Sequence, residues 1–262
     1  MDCKDQTKAA LIISHPGHEL RVHHWMETSK PLVLVLTDGS GSVNRPRLSS
    51  TITVLKNTGA RSAGVFGRFS DNEMYEALIR KNMPLLCGLL HEVVSILEQE
   101  QITLVVGDAL EYYNPSHDLC RYITGAAVEI VQRRTGLAIR NFDFSLVDRP
   151  DACPPELRER ALWISLDESG WERKLAASRG YPELAGEVEA TLRAYGEDIF
   201  RKECLRPVAN NAGIVNPPSE QPFYERHGEK RVRDGVYLQV IRYCNHMQPI
   251  AEALWEQALR TA

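Results

Sequence analysis

Two runs of the chain, Ala9-Ala10-Leu11-Ile12-Ile13 and Pro31-Leu32-Val33-Leu34-Val35-Leu36, contain no polar residue. A strand with one wet face alternates apolar and polar side chains. A strand without that alternation has to be covered on both faces, as the central strands of a parallel sheet are. Residues 19–28 between the runs suit a helix, so the first unit reads as strand, crossover helix, strand, with the right-handed connection such units adopt. The first strand is expected to end at Ser14-His15.

The alternation of strand and helix continues. Residues 72–99 place Leu78, Leu85, Leu89, Val93 and Leu97 at helical spacing, with Pro84 at a break or a start. Ile102 to Val106 supplies a third buried strand, followed by Gly107-Asp108. A helix from His117 to Thr135 precedes a fourth strand near Leu137 to Phe142. The fold class is therefore α/β, a Rossmann-like, mostly parallel sheet flanked by helices.

Past Asp148 the composition shifts toward proline and charged helical sequence, with helical character from Glu183 to Lys202 and a Pro/Asn-rich stretch from Pro207 to Pro222. The expected division is an α/β core over 1–150 and a mainly helical extension over 151–262. Val236 to Ile241 alternates like a closing strand, and Met247 to Leu259 reads as a helix packed on the core.

Charge and cysteine content narrow the function classes. The net charge of -4 comes from mixed signs spread along 262 residues, which leaves no standing field for nucleic acid or an anionic membrane. Six cysteines stand far apart without a CxxC pair, as expected of thiols in a reducing cytoplasm. The apolar run after Lys8 is too short for a signal peptide or a membrane span. The expected partner is a small-molecule substrate, and a homo-oligomer is left open.

In doubly wound α/β proteins ligands bind beyond the carboxyl ends of the strands. Three segments of this chain should lie there: 14–19, 37–42 and 108–118. The first carries His15 and His18 across a Pro-Gly turn, and the third carries His117 at the start of a helix. Three imidazoles suit zinc or another divalent transition metal and leave a fourth position for water. The glycines of Thr37-Asp38-Gly39-Ser40-Gly41-Ser42 read as a strand-to-loop turn, since no P-loop lysine accompanies them.

The order of these pieces resembles the LmbE-like, PIG-L family of zinc-dependent N-deacetylases. His15-Pro16-Gly17-His18-Glu19 resembles the family's His-Pro-Asp-Asp-Glu, Thr37-Asp38-Gly39 its Thr-(Asn/Asp)-Gly, and Asn114-Pro115-Ser116-His117 its His-Pro-Asp-His. The match runs over roughly residues 8–150. The resemblance implies that His15 and His117 are metal ligands and that His18 stands for the second Asp ligand. It also puts Gly17 where the family has its general base and Asn114 where it has an oxyanion-stabilising His.

General-base assistance is worth roughly 10²–10⁴-fold in rate, so a replacement is expected among Glu19, Asp38 and Asp118. Asn114 would donate to a developing oxyanion. Arg68 and Asp71 fall near the family's Gly-x-x-Asp loop and are expected to bind substrate. The function implied is a divalent-metal hydrolase acting on an N-acyl (amide) or related bond of a small polar metabolite or sugar. The alternative is a relative that uses the site for a different small-molecule reaction or for ligand binding, and a structural or interaction protein with an empty site is the third reading.

Overall fold

The computed structural model describes residues 7–41 and 45–260; residues 1–6 with Cys3, and Ser42, lie outside the described residues. Five strands run parallel: β1 (Ala9–Ile13), β2 (Leu32–Thr37), β3 (Arg61–Phe69), β4 (Leu104–Asp108) and β5 (Arg140–Phe144). Two more, β6 (Leu162–Ser165) and β7 (Lys202–Pro207), join antiparallel and complete the order β3-β2-β1-β4-β5-β7-β6.

The helices in chain order are α1 (His23–Ser29), α2 (Leu48–Thr58), α3 (Asp71–Ile79), α4 (Met83–Gln99), α5 (Pro115–Thr135), α6 (Glu168–Arg179), α7 (Ala185–Tyr195), α8 (Ala212–Val215), α9 (Phe223–Arg233) and α10 (Gln248–Arg260). None is long and apolar enough to cross a membrane among the described residues.

Successive residues of β1 enter opposite cores, as the period of two of a strand dictates. Ala10 and Ile12 face a layer with Leu34, Leu86, Leu90, Ile123 and Leu254. Leu11 and Ile13 face the other, with Val33, Trp25, Val54, Tyr181 and Leu184. Both faces are covered, so the absence of polar alternation in β1 and β2 is the direct result of burial: every residue of both strands is buried.

The chain proceeds β1 to β2 to β3 on one side of β1 and then crosses to β4 on its other side. The carboxyl ends of β1 and β4 therefore flank the point where the strand order reverses, where a crevice opens between diverging connections. Gly107 lets the two strands lie this close, since a Cβ there would stand 2.6 Å from the Ile12 carbonyl oxygen.

Two expectations need correction. Residues 236–241 form no strand. Val236 is 50% and Leu238 95% exposed, so the alternation marks no buried strand face; the outer strands of the sheet are β3 and β6, and neither pairs with this segment. The extension beyond residue 150 also holds β6 and β7, which continue the core sheet. Within the expected helix over 183–202, α7 ends at Tyr195 and a 3₁₀ turn spans Glu197–Arg201; Lys202 already begins β7.

Candidate functional site

The segment after β1 turns through Gly17, whose φ of +105° is a left-handed conformation that favours glycine. A Cβ at this position would also meet Leu184 Cδ1 at 2.4 Å. Leu184 and Tyr181, from the C-terminal part, thus fill the space into which a side chain at 17 would project. The turn brings His18 back beside His15. On the other side of the crevice Asn114 caps α5 by accepting from the Ser116 amide at 2.9 Å, with Pro115 at the first helical position. His117 then lies in the first turn of α5.

The three rings meet edge to face. Their centroids are 5.4 Å apart for His15 and His18, 5.1 Å for His15 and His117, and 4.6 Å for His18 and His117. Each of the first two is held from behind by a carboxylate. His18 Nδ1 lies 3.0 Å from both oxygens of Asp108, the last residue of β4. His15 Nδ1 lies 2.7 Å from Thr37 Oγ1 and 3.1 Å from Asp71 Oδ1.

Asp108 has no exposed surface on its side chain, and burial alone would raise its pKa. The neighbouring His18 and His117 and the hydrogen bonds from His18 and Ser14 overcome that and hold it at about 2. Its Oδ2 accepts from the Ser14 amide at 2.8 Å and the Ser14 hydroxyl at 2.6 Å. Asp71 follows the same logic: burial opposes its ionised form, and bonds from His15, Thr37 and the Gly41 amide hold it well below the usual carboxylate range.

Both carboxylates accept, so His15 and His18 each turn Nδ1 toward a carboxylate and Nε2 away from it. His117 is driven well below the ordinary histidine pKa by burial first and then by His18 and His15. It is a neutral imidazole. Its buried Nδ1 has no hydrogen-bond partner.

The other expected site residues are placed differently. Glu19 is fully buried, and burial raises its pKa to about 7. Its Oε2 accepts from the Gly17 amide at 2.6 Å, and it lies near Thr51 and Arg47 rather than the rings. Asp38 accepts from the Ser40 amide at 2.9 Å in a tight turn. Asp118 accepts from the Tyr112 amide at 3.2 Å. None of these three carboxylates, nor Asn114, hydrogen-bonds to a ring of the cluster.

Arg68 belongs to β3 and pairs with Glu92 on α4, while its guanidinium lies over Phe69. Asp71, expected to bind substrate, is instead the partner of His15. Asp108, Ser14 and Thr37 went unassigned from the sequence. An Asp that ends an otherwise apolar buried strand was the available signal for the first of them, since a buried carboxylate requires partners.

Whether these residues suit a cation turns on donor chemistry and on placement. Three imidazoles, two of them backed at Nδ1 by carboxylates and one with an unpartnered buried nitrogen, are the donor set and outer support that divalent transition metals take. In placement, no group of three or more His, Cys, Asp or Glu among the described residues is arranged to hold a metal ion. The donors fit in kind, and the rings are gathered without forming a closed coordination set.

No protein-family profile matches the chain, and no curated protein matches it either. Solved structures do. The chain is similar to the A40926 pseudoaglycone deacetylase Dbv21, with 18% identity and a TM-score of 0.50 over 78% of this chain and 97% of that one. It is similar to a deacetylase in the biosynthesis pathway of teicoplanin, with 14% identity and a TM-score of 0.51 over 76% and 97%. It is also similar to the conserved protein TT1542 from Thermus thermophilus, with 13% identity and a TM-score of 0.51 over 82% and 99%. At these identities the likeness is one of fold.

Proposed function

We propose that the chain is a divalent-metal-dependent hydrolase of an N-acyl bond in a small polar metabolite or sugar. The observation that carries this reading is the meeting of His15, His18 and His117 at the switch point of the sheet, two of them anchored through Nδ1 to ionised carboxylates. The fold shared with two deacetylases agrees with it.

His15, His18 and His117 would hold the cation. A divalent cation there supplies Lewis-acid polarisation of water and of the acyl oxygen. Asp108 keeps the proton of His18 on Nδ1, which leaves Nε2 as the donor nitrogen and fixes the ring plane. Thr37 and Asp71 do the same for His15. In the net reaction, water adds to the acyl carbon and the C–N bond breaks, giving a carboxylate and an amine.

A carboxylate must still take the proton from water. Among the candidates, Asp71 both touches the cluster and keeps part of its side chain exposed, at 19%. Its oxygens accept from His15, Thr37 and the Gly41 amide on the Nδ1 side of His15, opposite the donor Nε2, so we assign it the orienting of that ring and keep Glu19, whose Oε1 has no partner, and Asp38 as the candidates for the base. Asn114 and Arg68 are left, on the same grounds, with a capping and a surface role.

The test is metal content of the purified chain together with release of acetate from N-acetyl amines. About one zinc or similar ion per chain, lost in His15→Ala along with acetate release, is expected. A metal-free wild-type protein that hydrolyses no acylated amine would sink the reading. A second reading, ligand binding or another small-molecule reaction at the same site, is favoured by one observation: Gly17 and the Leu184 side chain close off the position next to His18 from any base. Metal uptake with tight ligand binding and no acetate release would select it.

A further inference from the structure

A row of aromatic rings joins the loop before α5 to α9 and α3. Tyr113 and Phe223 are parallel within 5°, with centroids 4.4 Å apart. His227 follows Phe223 at 5.8 Å and 21°, Tyr237 follows at 6.5 Å, and Tyr75 stands 5.3 Å from Tyr237. The guanidinium of Arg231 lies over Tyr237 at 5.5 Å.

Both ends of this row lie on the segments that carry members of the histidine cluster. Tyr113 adjoins Asn114, the cap of the helix that carries His117. Tyr75 sits one turn along α3 from Asp71, the partner of His15. The row is also fixed in place. The Phe223 amide donates to the Tyr112 carbonyl at 2.9 Å, and the Tyr75 hydroxyl donates to the Gln239 carbonyl at 2.7 Å.

Tyr113 and Phe223 nonetheless stay 41% and 39% exposed. Phe223 is enclosed between Tyr113 and His227. Tyr113 has Phe223 on one face, and no other ring packs on it among the described residues. A rigid stack that ends in an open ring is extended most favourably by another flat π surface, through offset stacking.

We propose that Tyr113, backed by Phe223 and His227, is a stacking platform for a planar aromatic ring that the substrate carries close to its N-acyl bond. This assignment rests on the hydrolase reading for the bond it names, and on the aromatic row alone for the ring. One good stacked pair changes an equilibrium by between about two- and tenfold.

The test measures binding, which needs no turnover, by NMR titration of the full chain with acetanilide, N-acetylglucosamine and the ringless N-ethylacetamide. Acetanilide is expected to bind more tightly than N-ethylacetamide. Tyr113→Ala should weaken acetanilide by about two- to tenfold and erase its advantage, and Phe223→Leu should act in the same direction. Tyr195→Ala, which removes an equally exposed Tyr outside the row, should leave both amides unchanged. The platform is overturned if acetanilide shows no binding or no advantage, if both row variants leave its affinity intact, or if N-acetylglucosamine alone depends on Tyr113. Ring-dependent binding without hydrolysis of any of the three amides would remove the hydrolase reading and leave the platform standing.

Discussion

Asp108 reaches His18 across ninety positions of sequence and places both its oxygens 3.0 Å from Nδ1 of that ring. The same carboxylate holds the amide and hydroxyl of Ser14, so the end of β1 and the turn after it are pinned to the end of β4 by one side chain. Asp108→Asn should therefore lower divalent-cation affinity by about 10–100-fold, the usual effect of losing a carboxylate behind a ligating imidazole. Zinc titration against a competing chelator measures this, and unchanged affinity would separate His18 from any role in holding a cation.

Gly17 offers a test of why the turn holds a glycine. Gly17→Asp would put a carboxylate beside His18, but it combines a left-handed backbone with a 2.4 Å approach to Leu184. The backbone costs about 1–2 kcal/mol and the overpacking about 1–3 kcal/mol. Urea unfolding should show that destabilisation in the single variant. Pairing it with Leu184→Ala should remove the clash while leaving the backbone cost. A single variant as stable as the wild type would mean that the turn has another accessible shape.

Acid stability should carry the mark of His23. Burial lowers this ring's pKa to about 4, against the opposing pull of Glu27, and its Nδ1 has no hydrogen-bond partner. Above pH 6.5 the ring is neutral folded and unfolded, and it contributes no pH dependence. As pH falls from 6.5 to about 4 the unfolded chain takes up a proton that the folded one refuses, so stability drops through that window and levels off below it. His23→Phe should flatten this part of the stability profile measured by denaturant unfolding. An unaltered slope between pH 6.5 and 4 would assign the loss to other groups.

Lys174 and Glu203 form an ion pair at 2.7 Å with neither side chain exposed. Glu203 also accepts from the amides of His24 and Trp25, and the lysine donates to the Arg21 carbonyl. Lys174→Met leaves a buried carboxylate without its counter-charge and should cost about 3–5 kcal/mol. Lys174→Met with Glu203→Gln should recover part of that, because the unpaired charge is gone and the amide oxygen can still accept from one of the two backbone donors. Equal losses in the single and double variants would argue that the lysine stem, not its charge, supports the fold.

The parallel centre of the sheet was legible because β1, and β2 and β4 up to their polar last residues, lack polar alternation, as strands covered on both faces do. The strands that were missed lack that signature. β3 carries Gly64, Gly67 and two arginines at an edge with a shifted register, and β6 and β7 are short, half-polar strands, β7 placed by pairing with β5 and β6 by pairing with β7. In the same way, the convergence of His15, His18 and His117 could be expected from their positions at strand ends. The partners Asp71 and Asp108 could not, since an Asp in a sequence does not disclose which ring it will face. Glu19 shows the same limit from the other side: adjacency along the chain puts it next to His18, while in the 3₁₀ turn from His18 to Val22 its Oε2 accepts from the Gly17 amide.

The antiparallel pair β7 and β6 has a consequence for how this molecule divides. Because β7 covers β5, and because Leu184 and Tyr181 occupy the hollow beside Gly17, the first 150 residues on their own would expose a hydrogen-bonding flank along Phe142 and Asp143 and an open notch next to His18. Splitting the gene at that point should yield a fragment prone to strand-to-strand association. The C-terminal part of the chain thus packs directly against the histidine loop through Leu184 and Tyr181, and evolution acting on either residue would reshape that loop's surroundings as directly as a change in the loop itself.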